Sequence, residues 1–210
     1  MDLDPLHHGP RYAAGMSVAR TVPLATAVDL LAISEEQRFH EIIDGEFVRK
    51  ATPSGPHGRA QRTLGGRIGD PYDRPPGGRR PGGWWIVTEV EVELEAHQVY
   101  RPDLCGWRRE RLPELPRDTP VTTRPDWVCE VLSRTNARND LVKKMRVYHR
   151  RSVRHYWIVD PDEKTLAVYR WTADGYLLAV TAESGDKVRA AGPSSSAGNS
   201  RRSSPRVDTK

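Results

Sequence analysis

Asp126-Trp127-Val128-Cys129-Glu130-Val131-Leu132 is a short apolar run with one carboxylate near its middle. Aromatic and β-branched residues between Pro125 and Ser133 read as a buried strand. Glu130 shares parity with Val128 and Leu132, while Cys129 and Val131 face the other way. A carboxylate on such a face is costly unless a cation compensates it. Upstream, Tyr100-Arg101-Pro102-Asp103-Leu104 brings a second acid into the strand expected beside it. Downstream, Asp140-Leu141-Val142-Lys143-Lys144 opens a helix. Asp140, Lys144 and Tyr148 follow one another at i, i+4 and i+8, so they form one helical stripe from which Lys144 reaches back over the sheet edge. Lys143 lies about 100° away around the helix and is the weaker choice.

Two carboxylates on rigid strands plus one ammonium are the parts a magnesium-dependent phosphodiesterase needs. The reaction requires an activated water and neutralisation of the phosphate, and Mg²⁺ (or Mn²⁺) held by hard oxygen ligands supplies both. Asp103 and Glu130 are the expected metal ligands. Lys144 is expected to orient the attacking water or stabilise the pentacovalent phosphate.

Working outward, Thr26 is placed to cap a helix through Leu30, Leu31 and Ile33. Asp44-Gly45 between Phe39–Ile43 and Glu46–Arg49 is a hairpin signal, since both turn residues need positive φ. Residues 57–69 read as a helix with Leu64 and Ile68 inward, weakened by Gly65 and Gly66. Residues 70–83 read as a loop. Trp84 to Leu94 alternates as one strand, with Ile86, Thr88, Val90, Val92 and Leu94 on one face and Glu89, Glu91 and Glu93 on a wet face. Val99 to Trp107 returns as the next strand. A charged loop over 108–125, a helix over 137–151, a buried strand over Val153–Val159 and a hairpin of Lys164–Trp171 with Tyr176–Thr181 complete the pattern. The order predicts an α/β fold, a mixed sheet sandwiched by helices. Residues 1–20 and 192–210 lack apolar periodicity and are expected to be disordered extensions of a domain over 21–191.

Composition narrows the function classes. With 210 residues and 37% hydrophobic content, the chain can build one real core. No stretch approaches the ~20 apolar residues of a membrane span, and Arg20 and Asp29 interrupt any secretory apolar region. Cys105 and Cys129, both in strand contexts without metal-ligand spacing, read as free buried thiols of a cytoplasmic protein. The net charge of +5 invites a nucleic-acid partner, but residues 192–210 carry +3 of it, so any basic surface on the domain must be local.

The chain resembles the Uma-two-type restriction endonucleases, a family within the PD-(D/E)XK nuclease superfamily. Five segments in order carry the likeness: Phe39 to Glu46, Arg101-Pro102-Asp103-Leu104, Pro125 to Ser133, Lys144 to Tyr148, and Tyr156-Trp157-Ile158-Val159-Asp160-Pro161. The resemblance implies a restriction-endonuclease-like fold with an N-terminal helix-hairpin element, and Mg²⁺-dependent cleavage of DNA. It matches Asp103 to the PD aspartate and Glu130 to the second acid. Leu132 stands where the superfamily lysine normally lies, which points to Lys144 as a displaced equivalent. Glu46, with Glu41 beside it, matches an N-terminal acidic element, and His57 a histidine at the next helix start. Two positions depart from the pattern. Arg134 replaces a proline after the EVLS serine, and residues 192–210 do not match the family's closing apolar strand.

The plainer readings are a turn role for Asp103, a solvated helix position for Lys144, packing for Tyr148, and core duty for Trp84, Trp85 and Trp107. The arginine-rich stretch over 108–111 reads as solvated or as contacting phosphates. Two functions compete: a metal-dependent DNA endonuclease, and a non-catalytic nucleic-acid-binding or regulatory protein on a degenerate nuclease scaffold. A homodimer would suit an enzyme cutting both strands of a symmetric site.

Overall fold

The computed structural model of the chain describes residues 23–189, 192–193 and 206–208, with backbone alone for 188–189 and 206–208. The expected leading extension over 1–20 lies outside the described residues, as does most of the tail.

Two sheets organise the molecule. Helix α1 (Ala27–Leu31) is capped at Thr26, whose N–H and hydroxyl both donate to Asp29 at 2.8 Å. Strands β1 (His40–Ile43) and β2 (Glu46–Arg49) form the expected hairpin, with Asp44 at φ 55° and Gly45 at φ 77°. Helix α2 spans Gly55–Tyr72, started by Ser54, whose side chain accepts from the His57 N–H. It outruns the expected 57–69. Gly65 does not end it, because its bare Cα lets the helix sit on Leu104: an added Cβ would lie 3.2 Å from that side chain.

The next two expected strands each split in two. β3 (Trp84–Val87) and β4 (Val92–Glu95) lie in different sheets, as do β5 (Gln98–Tyr100) and β6 (Leu104–Arg108). Near the first break Glu89 adopts φ 55°, and its N–H donates to Pro102 O at the second break. The alternation continues through both breaks because each sheet buries one face. The kink shifts the target: Ile86 packs on one side of the large sheet, while Val92 and Leu94 pack into the core on the other. The wet face is also corrected. Glu91 is buried and paired with Arg38 at 3.0 Å.

The order is completed by β7 (Trp127–Val131), a π-helical turn (Asn139–Lys144) running into α3 (Met145–Arg150), then β8 (His155–Asp160), β9 (Thr165–Thr172) and β10 (Gly175–Glu183). β11 (Lys187–Arg189) pairs with β12 (Arg206–Asp208), a short strand inside the tail read as patternless. Gly192, also in that tail, lies against Trp157. The small sheet runs β2-β1-β5-β4 and the large one β10-β9-β8-β7-β6-β3. β7 and β8 are parallel and every other strand pair is antiparallel. The large sheet is therefore mixed, as expected.

Three layers result. Leu64, Ile68 and Tyr72 of α2 cover one face of the large sheet over Trp127, Cys129 and Trp157. Val147 and Tyr148 of α3, with Ile43, Val92 and Tyr100 of the small sheet, cover the other face over Val128 and Tyr156. Trp84 and Trp107 are buried; the indole N–H of Trp107 donates to Thr123 O and that of Trp85 to Leu112 O. The loop arginines are anchored as well: Arg111 pairs with buried Asp126 at 3.0 Å.

His155 shows how this packing couples to pH. Burial, reinforced by Arg108 and Arg154, pushes its pKa down to about 4 from 6.5. The unfolded chain therefore binds the extra proton between those two values. Stability is complete above pH 6.5 and is lost as pH falls through 4, by up to about 3 kcal/mol. Urea unfolding at pH 7 and pH 5 is expected to show a smaller pH-dependent loss in His155→Gln than in the parent; equal losses would contradict this.

Candidate active site

The acids meet where the sheets exchange strands. Leu104 of β6 is in register with Cys129 of β7, which sets Asp103 beside Glu130. Each carboxylate accepts a backbone N–H from the other's neighbourhood. Val131 donates to Asp103 Oδ2 at 2.7 Å, and Asp103 donates to Glu130 Oε2 at 3.3 Å. Both residues are buried. The parity reading of β7 holds, since Glu130 lies on the α3 side with Val128.

Glu130 Oε1 accepts from Tyr148 OH at 2.9 Å and from Lys144 Nζ at 3.3 Å. Lys144 also touches Glu41 Oε1 at 2.8 Å and Asp140 Oδ1 at 3.0 Å. It is enclosed, with 4% of its side chain exposed. The Asp140 carbonyl, within the π-helical turn, accepts from Tyr156 OH at 2.9 Å and ties the turn to β8.

The far side of Asp103 belongs to other residues. Its Oδ1 faces Lys50 Nζ at 3.0 Å and His57 Nε2 at 3.4 Å, yet takes no hydrogen bond of good geometry. Lys50 donates to Glu89 Oε2 at 2.8 Å and to Arg101 O at 2.6 Å. Gln61 ties Glu89 to the Asp103 carbonyl, at 3.0 Å each. Lys50 is more open than Lys144, with 18% of its side chain exposed.

The structure thus brings Asp103, Glu130 and Lys144 together as expected, but not Glu46. Glu46 is exposed at the turn end of β2 opposite Ile43, with no hydrogen bond or ion pair to the group. Glu41, on the partner strand, takes the place at Lys144. The physical reason is position: Glu41 sits inside the buried strand β1, whereas Glu46 follows the solvent-facing turn. Lys50 gave no advance signal, because it follows an edge strand and reaches Asp103 only through the tertiary fold. Glu41 had one, a carboxylate inside a short apolar strand, the same signal that marks Glu130.

Charge sets the chemistry. Buried Glu41, Asp103, Glu130 and Asp140 share two ammonium groups, Lys50 and Lys144, so the ionised cluster is short of positive charge. Burial raises the Glu130 carboxyl to about 8 against the opposing pull of Lys144. Burial pushes Asp103 the same way, but the close approach of His57 and Lys50 outweighs it and holds that carboxyl well below the usual range. His57 is raised in return, mainly by its contact with Asp103.

Among the described residues no three His, Cys, Asp or Glu side chains form a ready-made metal cage. The donor set is two carboxylates. That suits Mg²⁺, which keeps several waters and is held by one or two protein carboxylates plus substrate phosphate. The Asp103 Oδ1 without a good hydrogen bond and the cluster's missing positive charge both fit such an ion.

The model of the Uma2 family, described as "Putative restriction endonuclease", matches residues 27–193, most of the chain and all of the acid cluster. The chain belongs to the Uma2 family. Among solved structures, the Uma2 chain is similar to "a putative nuclease belonging to DUF820" from Anabaena variabilis at 21% identity and a TM-score of 0.58, over 78% of this chain and 87% of that one. This likeness shows the restriction-endonuclease-like fold. No curated protein matches. No helix among the described residues is long and apolar enough to cross a membrane. The family's EVLS loop carries Arg134 in this chain, where it pairs with Asp162 at 2.9 Å and joins the loop after β7 to the turn after β8.

Proposed function

We propose that this Uma2 protein is a metal-dependent endonuclease that hydrolyses phosphodiester bonds in DNA. One observation carries the reading: Asp103 and Glu130 are held side by side, each accepting a backbone N–H, inside a buried cluster where carboxylates outnumber ammoniums. The family membership supports nuclease chemistry. Asp103 and Glu130 would hold Mg²⁺ or Mn²⁺, which when bound acidifies a water and neutralises phosphate charge.

The chain's own residues divide the remaining work. Lys144 fixes Glu41, Glu130 and Asp140 around one ammonium, and so holds Glu130 in place. In this reading its contribution to catalysis is positional, because its ammonium is already committed to three carboxylates. Lys50 stands at the more open side of Asp103, where its ammonium can turn to a phosphate oxygen. His57 stays against Asp103 at 3.4 Å and keeps its proton more readily than a free imidazole. Glu46 is left without a role. A second copy of the chain would let two such sites act on opposite strands.

The second reading, nucleic-acid binding without cleavage, draws on Lys50, which occupies the side of Asp103 a cation would use. Incubation of supercoiled plasmid with Mg²⁺, Mn²⁺ or chelator separates the two. Nicking or linearisation is expected with either metal and not with chelator. Intact plasmid under all three conditions would overturn the enzymatic reading.

A further inference from the structure

A groove of about 650 Å³ opens between α2 and the turn joining β8 to β9. Its floor is aliphatic, with Leu64, Val159 and Leu166, and its rim carries Arg59, Arg67 and Lys164. Arg59 and Lys164 are exposed and, among the described residues, make no hydrogen bond or ion pair. Among the described residues the rim carries one carboxylate, Asp160, which accepts the N–H groups of Asp162 and Glu163 through Oδ1 at 3.0 Å each and so is committed to its own turn.

The groove adjoins the acid cluster. The Leu132 N–H donates to the carbonyl of groove residue Val159 at 2.8 Å, two residues beyond Glu130. Glu130 itself is in register with Ile158 on the parallel strand, one residue before Val159. Helix α2 serves both places. His57 and Gln61, four apart, reach Asp103 and its carbonyl, while Arg59, Thr63 and Arg67, also four apart, line the groove. The N-terminal end of this 18-residue helix adds positive potential at the groove mouth.

We infer that this groove seats an unpaired nucleic-acid strand running to the acid cluster, with phosphates on Arg59 and Lys164 and bases over the aliphatic floor. The inference rests on the endonuclease reading for its direction and names the surface that reading lacks. The two exposed rim cations, Arg59 and Lys164, complement a polyanion, and an apolar floor suits base faces rather than a hydrated duplex exterior. The floor has no aromatic ring to stack on, so phosphate contacts dominate the binding.

The test is fluorescence anisotropy with a labelled twelve-residue oligothymidylate in chelator, across a salt series. Removing two phosphate contacts with Arg59→Ala/Lys164→Ala is expected to weaken binding about 25-fold at 0.1 M salt and to lower the salt slope by about 1.4. Arg170→Ala, which removes a charge at the other end of β9, is expected to leave the slope within a few tenths of the parent value. A double variant with unchanged affinity and slope would overturn the inference, as would tighter binding of a duplex of equal length. Because chelator suppresses cleavage, the result is independent of whether the parent protein cuts DNA. Failure to cut with metal would remove the endonuclease reading and leave the binding result standing.

Discussion

Asp103→Asn is expected to lose at least a hundredfold in DNA cleavage with Mg²⁺ while remaining folded. The substitution keeps the shape and one carbonyl oxygen, which can still accept the Val131 N–H now held at 2.7 Å. It removes the negative charge that faces Lys50 and His57 and that would hold the metal. The loss of a ligand to the ion that would neutralise phosphate charge falls in the range known for deleting one preorganised electrostatic contact, about 10²–10³ in rate. A plasmid-nicking time course, with circular dichroism confirming the fold, measures it. Activity within a few-fold of the parent would remove Asp103 from the chemistry.

Lys144→Ala is expected to act first on stability. One ammonium, nearly inaccessible, serves Glu41, Glu130 and Asp140 at 2.8–3.3 Å. Deleting it leaves buried carboxylates without their cation, and breaking a buried pair from one side costs about 3–5 kcal/mol. For a chain of this size that corresponds to a fall of roughly 10 °C in Tm. The pH dependence distinguishes this cause from a simple cavity. Without the ammonium the buried acids hold protons in the folded state up to higher pH, so the native chain binds more protons than the unfolded one. Stability then falls as pH rises. The deficit of the variant is expected to be larger at pH 9 than at pH 6 in thermal melts. Glu130→Gln introduced into Lys144→Ala removes one of the stranded charges and is expected to recover part of the loss at pH 9. A pH-independent deficit would mean that the lysine matters for packing alone.

The large sheet was legible in the sequence wherever a strand is buried on both faces. Trp127–Val131 and His155–Asp160 announce themselves as apolar runs, and Asp44-Gly45 announces its hairpin. The division into two sheets was not legible, because Trp84 to Leu94 keeps a single alternation through the kink at Glu89. Period-two patterning reports that one face is buried; it does not report against which layer. The same limit governs the site. Asp103 and Glu130 could be paired in advance because neighbouring strands bring them together, and Lys144 because it follows on the next helix. Lys50 and His57 come to Asp103 from β2's end and α2's first turn, contacts between segments more than 45 residues apart in the chain. No local pattern records such a meeting. Glu46 was expected beside the cluster, and lies away from it, for a related reason. Acids on both sides of the hairpin turn look alike in one dimension, and only the burial of β1 separates Glu41 from Glu46.

On the proposed function, Asp103 and Glu130 form one divalent-cation site, with the cluster's surplus carboxylate charge compensated by the ion. Calorimetric titration of Mn²⁺ into the parent protein, Asp103→Asn and Glu130→Gln at pH 8 tests it without reference to any substrate. Saturable binding is expected in the parent, weakened at least tenfold in both variants. Binding of equal strength in all three proteins, or none in the parent, would contradict it.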